Sequence, residues 1–140
     1  MDNYGLGEIL GEDGIGIGLG EGSRLYNSLS ARISASEQAI LTGSAPGDGD
    51  GVRIINYGVI ETLSDRHAAI RGDDGADLLR NAGEIIGDVR LGGGADAYRG
   101  VADGAVAGVV HGGAGDDLLR GGRGADQLRG GAGDDDLRGR

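Results

Sequence analysis

Residues 112–138 hold three nine-residue units in unbroken tandem. They read Gly112-Gly113-Ala114-Gly115-Asp116-Asp117-Leu118-Leu119-Arg120, Gly121-Gly122-Arg123-Gly124-Ala125-Asp126-Gln127-Leu128-Arg129 and Gly130-Gly131-Ala132-Gly133-Asp134-Asp135-Asp136-Leu137-Arg138. No other feature constrains the fold as strongly, because a nine-residue unit cannot bury a core alone and must stack on its neighbours. Glycine stands at the first, second and fourth places, aspartate at the sixth, leucine at the eighth and arginine at the ninth.

The pattern continues upstream with less regularity. Leu91-Gly92-Gly93-Gly94-Ala95-Asp96-Ala97-Tyr98-Arg99 and Gly72-Asp73-Asp74-Gly75-Ala76-Asp77-Leu78-Leu79-Arg80 keep the aspartate, an apolar residue and the arginine. Asp77, Asp96, Asp117 and Asp135 are separated by 19, 21 and 18 residues, so one coil of the stack takes about twenty residues. A second column runs through Asn3-Tyr4-Gly5, Asn27, Asn56-Tyr57-Gly58 and Asn81-Ala82-Gly83, at spacings of 24, 29 and 25. Short β-type runs such as Arg53-Ile54-Ile55, Val59-Ile60 and Val89-Arg90-Leu91 lie between the turns, three to a coil. The asparagines cap turns along the stack through side-chain hydrogen bonds.

These observations predict an all-β chain: a right-handed parallel β-helix, three-sided over residues 1–90, narrowing to a two-sided β-roll over 91–140, in one continuous stack. Composition agrees. With no Phe or Trp, four Tyr and one Met, the core must be built from Leu, Ile, Val and Ala. The 33 Gly against a single Pro exclude collagen.

The nonamers follow the form GGxGxDxUx and resemble the RTX (hemolysin-type) calcium-binding repeat, while the upstream coils resemble the Asn-Gly-Ile-rich β-helical repeats that precede RTX arrays. This resemblance implies that Ca²⁺ lies between a loop and the next loop on the same edge. The ion takes six to eight oxygens, so backbone carbonyls must supplement the carboxylates, and glycine is the residue that turns successive carbonyls inward at little cost. Carried over residue by residue, loop 112–117 pairs with loop 130–135 through Asp117 and Asp135, with carbonyls near Gly113, Gly115, Gly131 and Gly133. Loop 91–96 joins through Gly94 and Asp96, and loop 72–77 through Asp77. Leu91 replaces the first glycine, and Asp73 and Asp74 replace small residues. Gly122, Gly124 and Asp126 fall on the opposite edge, where the preceding turn, residues 100–104, offers only Asp103. Carboxylates stacked about 5 Å apart repel by roughly 3 kcal/mol per pair at an effective dielectric near 20, so calcium binding is expected to be coupled to folding.

A net charge of −10, with all 13 basic residues Arg, points to cations as partners and away from nucleic acid. No Cys is present, so a bound metal is oxygen-ligated. The longest apolar run, residues 105–110, is too short to span a bilayer, and residues 1–10 carry no Sec-type signal. The acidic stretch Gly47-Asp48-Gly49-Asp50-Gly51 is not an EF-hand, since Val59 stands where a bidentate Glu is required, and reads as a surface loop. Gly14-Ile15-Gly16-Ile17-Gly18-Leu19-Gly20 lacks the dinucleotide-binding spacing, and without Lys there is no Walker loop. H-E-x-x-H and G-x-S-x-G are both absent.

Arg80, Arg99, Arg120, Arg129 and Arg138 are expected to form outward ladders. The simpler reading of those ladders is a solubilising face, and the sharper one a surface for an anionic polysaccharide or a cell surface. The leading expectation is a non-catalytic calcium-stabilised module of an extracellular bacterial protein, exported by a type I-like route. The C-terminal signal expected with that route is absent from residues 1–140, so the chain reads as a fragment, and an open last coil is expected to promote end-to-end self-association. Two other classes remain: a fragment of a β-helix polysaccharide lyase or epimerase, and an adhesin or surface-layer fragment.

Overall fold

The structure, a computed structural model, describes residues 2–3, 8–11, 14–43 and 51–139. Among these, every regular element is a strand. The first sheet contains β1 (Asp2–Asn3), β4 (Arg24–Asn27), β7 (Arg53–Asn56), β10 (Leu78–Asn81), β13 (Ala97–Gly100), β16 (Leu118–Arg120) and β18 (Asp136–Arg138). The second contains β2 (Glu8–Gly11), β5 (Arg32–Ala35), β8 (Val59–Thr62), β11 (Glu84–Ile86) and β14 (Ala105–Ala107). The third contains β3 (Ile17–Gly20), β6 (Ile40–Gly43), β9 (Ile70–Arg71), β12 (Val89–Gly93), β15 (Val109–Ala114) and β17 (Gln127–Ala132). Each strand pairs in parallel with its counterpart one coil away, which makes the chain a β-solenoid.

The strands are short because the coil turns every few residues, and their sequences alternate as half-buried strands should. Inward positions carry apolar side chains, aliphatic except for one tyrosine, stacked in register. Leu25, Ile54, Leu79, Tyr98 and Leu119 line the first sheet, Ile33, Ile60 and Ile85 the second, and Ile40, Ile70, Val89 and Val110 the third, all buried. Full burial of each aliphatic side chain contributes about 1.5–3 kcal/mol. The column weakens at its C-terminal end, where Leu128 is only partly buried and Leu137 is 42% exposed.

Both polar columns anticipated from spacing are registers of the structure. Asn3 pairs with Asn27, Asn27 with Asn56, and Asn56 with Asn81. The Asn27 amide donates to Asn56 Oδ1 at 2.8 Å, and the Asn56 amide donates to Asn81 Oδ1 at 2.8 Å. All three are fully buried, and their remaining protons reach carbonyls of Val59, Glu84 and Ala105 in the next coil. Tyr4, Gly5 and residues 47–50 of the acidic stretch lie outside the described residues.

The stack changes width later than the sequence suggests. Residue 91 is the expected point, yet β14 still pairs with β11 and carries the third side one coil further. Only the coil after it is two-stranded, because residues 121–126 run from β16 to β17 with no strand between. The segment that would have to supply one, Gly121-Gly122-Arg123-Gly124-Ala125-Asp126, has no apolar side chain larger than Ala to fill an inward position. In the coil just above, Tyr98 is the largest fully buried side chain and fills the interior where the cross-section shrinks.

Candidate metal centre

The loops after the third sheet stack as one edge of the solenoid, and the four sixth-place aspartates lie there one above another. Their contact is specific. Asp77 accepts from the Val52 amide at 2.7 Å, Asp96 from the Asp77 amide at 2.7 Å, Asp117 from the Asp96 amide at 2.9 Å and Asp135 from the Asp117 amide at 3.0 Å, each through Oδ1. Each carboxylate therefore reaches back one coil and leaves Oδ2 free of this bond. Asp96 and Asp117 are 1% and 2% exposed, and their Oδ2 atoms are buried with no hydrogen-bond partner. A buried carboxylate oxygen left unpaired is costly, so these two atoms mark where a positive ligand fits.

Glycine serves two different ends in these loops. Gly92, Gly94, Gly113, Gly115, Gly131 and Gly133, at the second and fourth places, have positive φ between 99° and 134°. A Cβ at Gly113 or Gly131 would also fall on the carbonyl oxygen of Gly92 or Gly113 in the coil above. The first-place glycines do not have positive φ. At Gly112 and Gly130 a Cβ would instead occupy the position of Oδ2 of Asp117 and Asp135 in the same loop. On this edge from residue 91 onward, backbone angle thus calls for glycine at the second and fourth places, while the first-place Gly112 and Gly130 provide room for the carboxylate.

Electrostatics follows from this burial. Asp96 is pushed up to about 7, chiefly by burial and further by the charges of Asp77 and Asp117, against the favourable bond from the Asp77 amide. Asp77 is pushed up to about 6, again chiefly by burial, with Asp73 adding to the rise and the Val52 amide and Thr42 opposing it. Asp117 is raised by burial and by Asp135 and Asp116, while the Asp96 amide lowers it. Among the described residues no three carboxylates or imidazoles converge on one point. A cation at this edge must therefore draw on carbonyl oxygens as well, the donor set that suits a large hard ion. The orphaned Oδ2 atoms and the glycine loops fit such an ion.

The opposite edge is built differently. Asp126 takes the Gly122 amide at 2.9 Å on Oδ2, and its buried Oδ1 has no partner. Gly122 and Gly124 lack the positive φ of their counterparts. The turn above it has Ala102 at φ 54°, and Asp103 is drawn toward Arg123 at 3.9 Å. Asp126 is thus not stacked on another sixth-place aspartate.

Three features of the site are not legible in the nonamer pattern. Thr42 reaches Asp77 Oδ2 at 3.5 Å at the upper end of the column. Asp116, at the fifth place, accepts from the Asp134 amide at 2.8 Å, an outer echo of the main column whose only sequence signal is the Asp-Asp pair. Asp88 accepts from the Val109 amide at 2.9 Å at another corner.

Residues 109–140 match the family model of the RTX calcium-binding nonapeptide repeat, in four copies. No curated protein and no solved structure matches the chain. The match includes the two perfect nonamers whose loops form the lower half of the aspartate edge and the one that crosses to the other side. Over residues 109–140 the chain is thus similar to the RTX calcium-binding nonapeptide repeat.

Proposed function

We propose that the aspartate edge binds Ca²⁺ between successive loops, and that the chain is a calcium-stabilised, non-catalytic module of an extracellular protein. The observation that carries this reading is the pair of buried, unpaired Oδ2 atoms on Asp96 and Asp117, beside loops whose glycines have positive φ. Asp77, Asp96, Asp117 and Asp135 supply charge, and carbonyls near Gly94, Gly113, Gly115, Gly131 and Gly133 complete the oxygen set. Gly122, Gly124 and Asp126 contribute a weaker second-edge position, for which the free Oδ1 of Asp126 argues and the backbone of its glycines does not.

When bound, the ion supplies the positive charge that offsets repulsion along the column. The residues do the rest. Each Oδ1 is held by an amide from the coil above, which fixes the carboxylate plane and aims Oδ2 toward its own loop. Extracellular export is supported by the family, whose repeats are typical of secreted bacterial proteins, and a membrane-spanning helix is absent among the described residues.

Calorimetric titration of the full chain tests the reading. Ca²⁺ is expected to bind and to raise the melting temperature, and equal Mg²⁺ to do neither, since Mg²⁺ demands a tight octahedral shell. Indistinguishable melts in calcium and in chelator would overturn it.

A further inference from the structure

The third sheet is interrupted in one coil. β9 has two residues, where β6 above it has four and β12 below it has five. Only Ile40 and Leu41 find partners in β9 from above, and only Val89 and Arg90 from below. The loop that leads into β9 is correspondingly long, seven residues at 63–69 against four at 36–39 and two at 87–88 in the neighbouring coils. Long loop and short strand together leave a cleft of about 740 Å³, into which the loop brings Arg66 and His67 and the sheet brings Arg71 and Arg90. Register sets Arg71 directly opposite Arg90, and like charges so placed destabilise a sheet. Little within the chain offsets them. Among the described residues Arg66 and Arg71 have no carboxylate within ion-pair distance, and Arg90 has only Asp88, at 3.8 Å. Asp73 and Asp74 border the same cleft but are engaged elsewhere. Asp73 Oδ1 accepts the Gly75 amide at 3.1 Å, and Asp74 Oδ1 lies 3.1 Å from the place a Cβ would take on Gly93 in the next coil. The loop is held by its own bonds: Thr62 Oγ1 accepts the Ser64 amide at 3.1 Å, Ser64 Oγ accepts the Arg66 amide at 3.2 Å, and Ser64 Oγ lies 3.0 Å from His67 Nδ1. With the hydroxyl proton placed on that last contact, Nδ1 is the acceptor and Nε2 carries the imidazole proton as a donor.

We propose that this cleft binds a small phosphate monoester, with Arg66, His67, Arg71 and Arg90 as its donors. Adjacent parallel strands set the backbones of Arg71 and Arg90 about 4.8 Å apart, and the loop adds Arg66 and His67 from a second wall. Donors arriving from two walls suit the tetrahedral oxygens of a phosphate better than the two coplanar oxygens of a carboxylate. Each guanidinium fork can give such an anion paired, charge-assisted hydrogen bonds. A monoester carries about two negative charges above pH 7, which offsets the mutual repulsion of the arginines. The cleft falls within the range of small-molecule sites, roughly 300–1,000 Å³. None of the four donors belongs to the glycine loops of the aspartate edge, so the inference does not depend on the calcium reading.

The test uses the full chain in calcium at pH 8, where the monoester is a dianion. Glycerol 2-phosphate is the probe, followed by calorimetry and by phosphorus NMR line width. Dimethyl phosphate, a monoanionic diester, and succinate, a dicarboxylate, are the controls. Wild type is expected to bind the monoester, and to bind both controls about tenfold more weakly or less. Arg71→Gln and Arg90→Gln should each weaken the monoester by about tenfold, as the loss of one charge-assisted partner implies. Arg129→Gln removes the same charge from the same sheet two coils below Arg90 and should leave binding unchanged. Unchanged melting in calcium shows that each variant is folded; if Arg71→Gln does not fold, Arg90→Gln against Arg129→Gln decides. Absence of monoester binding, equally tight binding of either control, or equal loss from Arg129→Gln would overturn the proposal.

Discussion

Replacing Asp96 by asparagine separates the two roles of the aspartate column, because it removes the charge and keeps the shape. Asp96 is 1% exposed, accepts the Asp77 amide on Oδ1, and has nothing on Oδ2. Its pKa stands at about 7 against an ordinary 3.8. A carboxyl whose pKa rises on folding stabilises the fold below its unfolded value, near pH 4, and that contribution is lost as pH rises through the folded value. At pH 8 the loss amounts to about 4 kcal/mol, at about 1.4 kcal/mol per unit. An asparagine amide buried without an acceptor returns about 1–3 kcal/mol of that. Asp96→Asn should therefore stabilise the protein in chelator at pH 8 by about 1–3 kcal/mol, a rise in Tm of roughly 3–10 °C for a chain of this size. In calcium the order reverses. One site at a hundredfold excess over Kd stabilises the wild type by about 2.7 kcal/mol, and the substitution weakens the sites on both sides of the altered position. Thermal melts of both proteins, in chelator and in millimolar calcium, read this crossing directly. A variant less stable than wild type in chelator, or one that calcium stabilises equally, would refute the reasoning.

The same burial predicts that wild-type Tm in chelator falls as pH rises from 5 to 8, since Asp77 and Asp96 must both ionise over that interval; a flat or rising profile by calorimetry contradicts it. Calcium uptake near pH 6.5 should release protons, detectable as a dependence of the titration heat on the buffer's ionisation enthalpy. Asp117→Ala should diminish the calcium response more than Asp126→Ala, because Asp117 is bonded within the column on both sides and Asp126 stacks on no sixth-place aspartate; titration of the two variants decides. Gly113→Ala should destabilise the fold by roughly 1–3 kcal/mol or more even in chelator, since φ is 128° and the new Cβ meets a backbone carbonyl, a loss that urea unfolding would show.

Much of this architecture is legible in residue spacing because a solenoid turns sequence period directly into register. The intervals between Asn27, Asn56 and Asn81, and between Asp77, Asp96, Asp117 and Asp135, are the inter-coil pairings themselves. The width change was less legible: Ala105-Val106-Ala107 offers one apolar side chain of any size, too weak a signal for a strand, yet pairing with Glu84–Ile86 above it suffices. Direction of hydrogen bonding was not legible at all. Nothing in the nonamer says that Oδ1 reaches back to an amide while Oδ2 stays free, or that the first glycine makes room and the other two turn the chain. Those assignments depend on how one coil sits on the next.

Crystals grown in calcium and measured at a wavelength giving a calcium anomalous signal would locate the ion. Anomalous peaks are expected on the edge bearing Asp77, Asp96, Asp117 and Asp135, between successive glycine loops and beside the free Oδ2 atoms of Asp96 and Asp117. Peaks absent from that edge, or confined to the opposite one at Asp126, would contradict that placement.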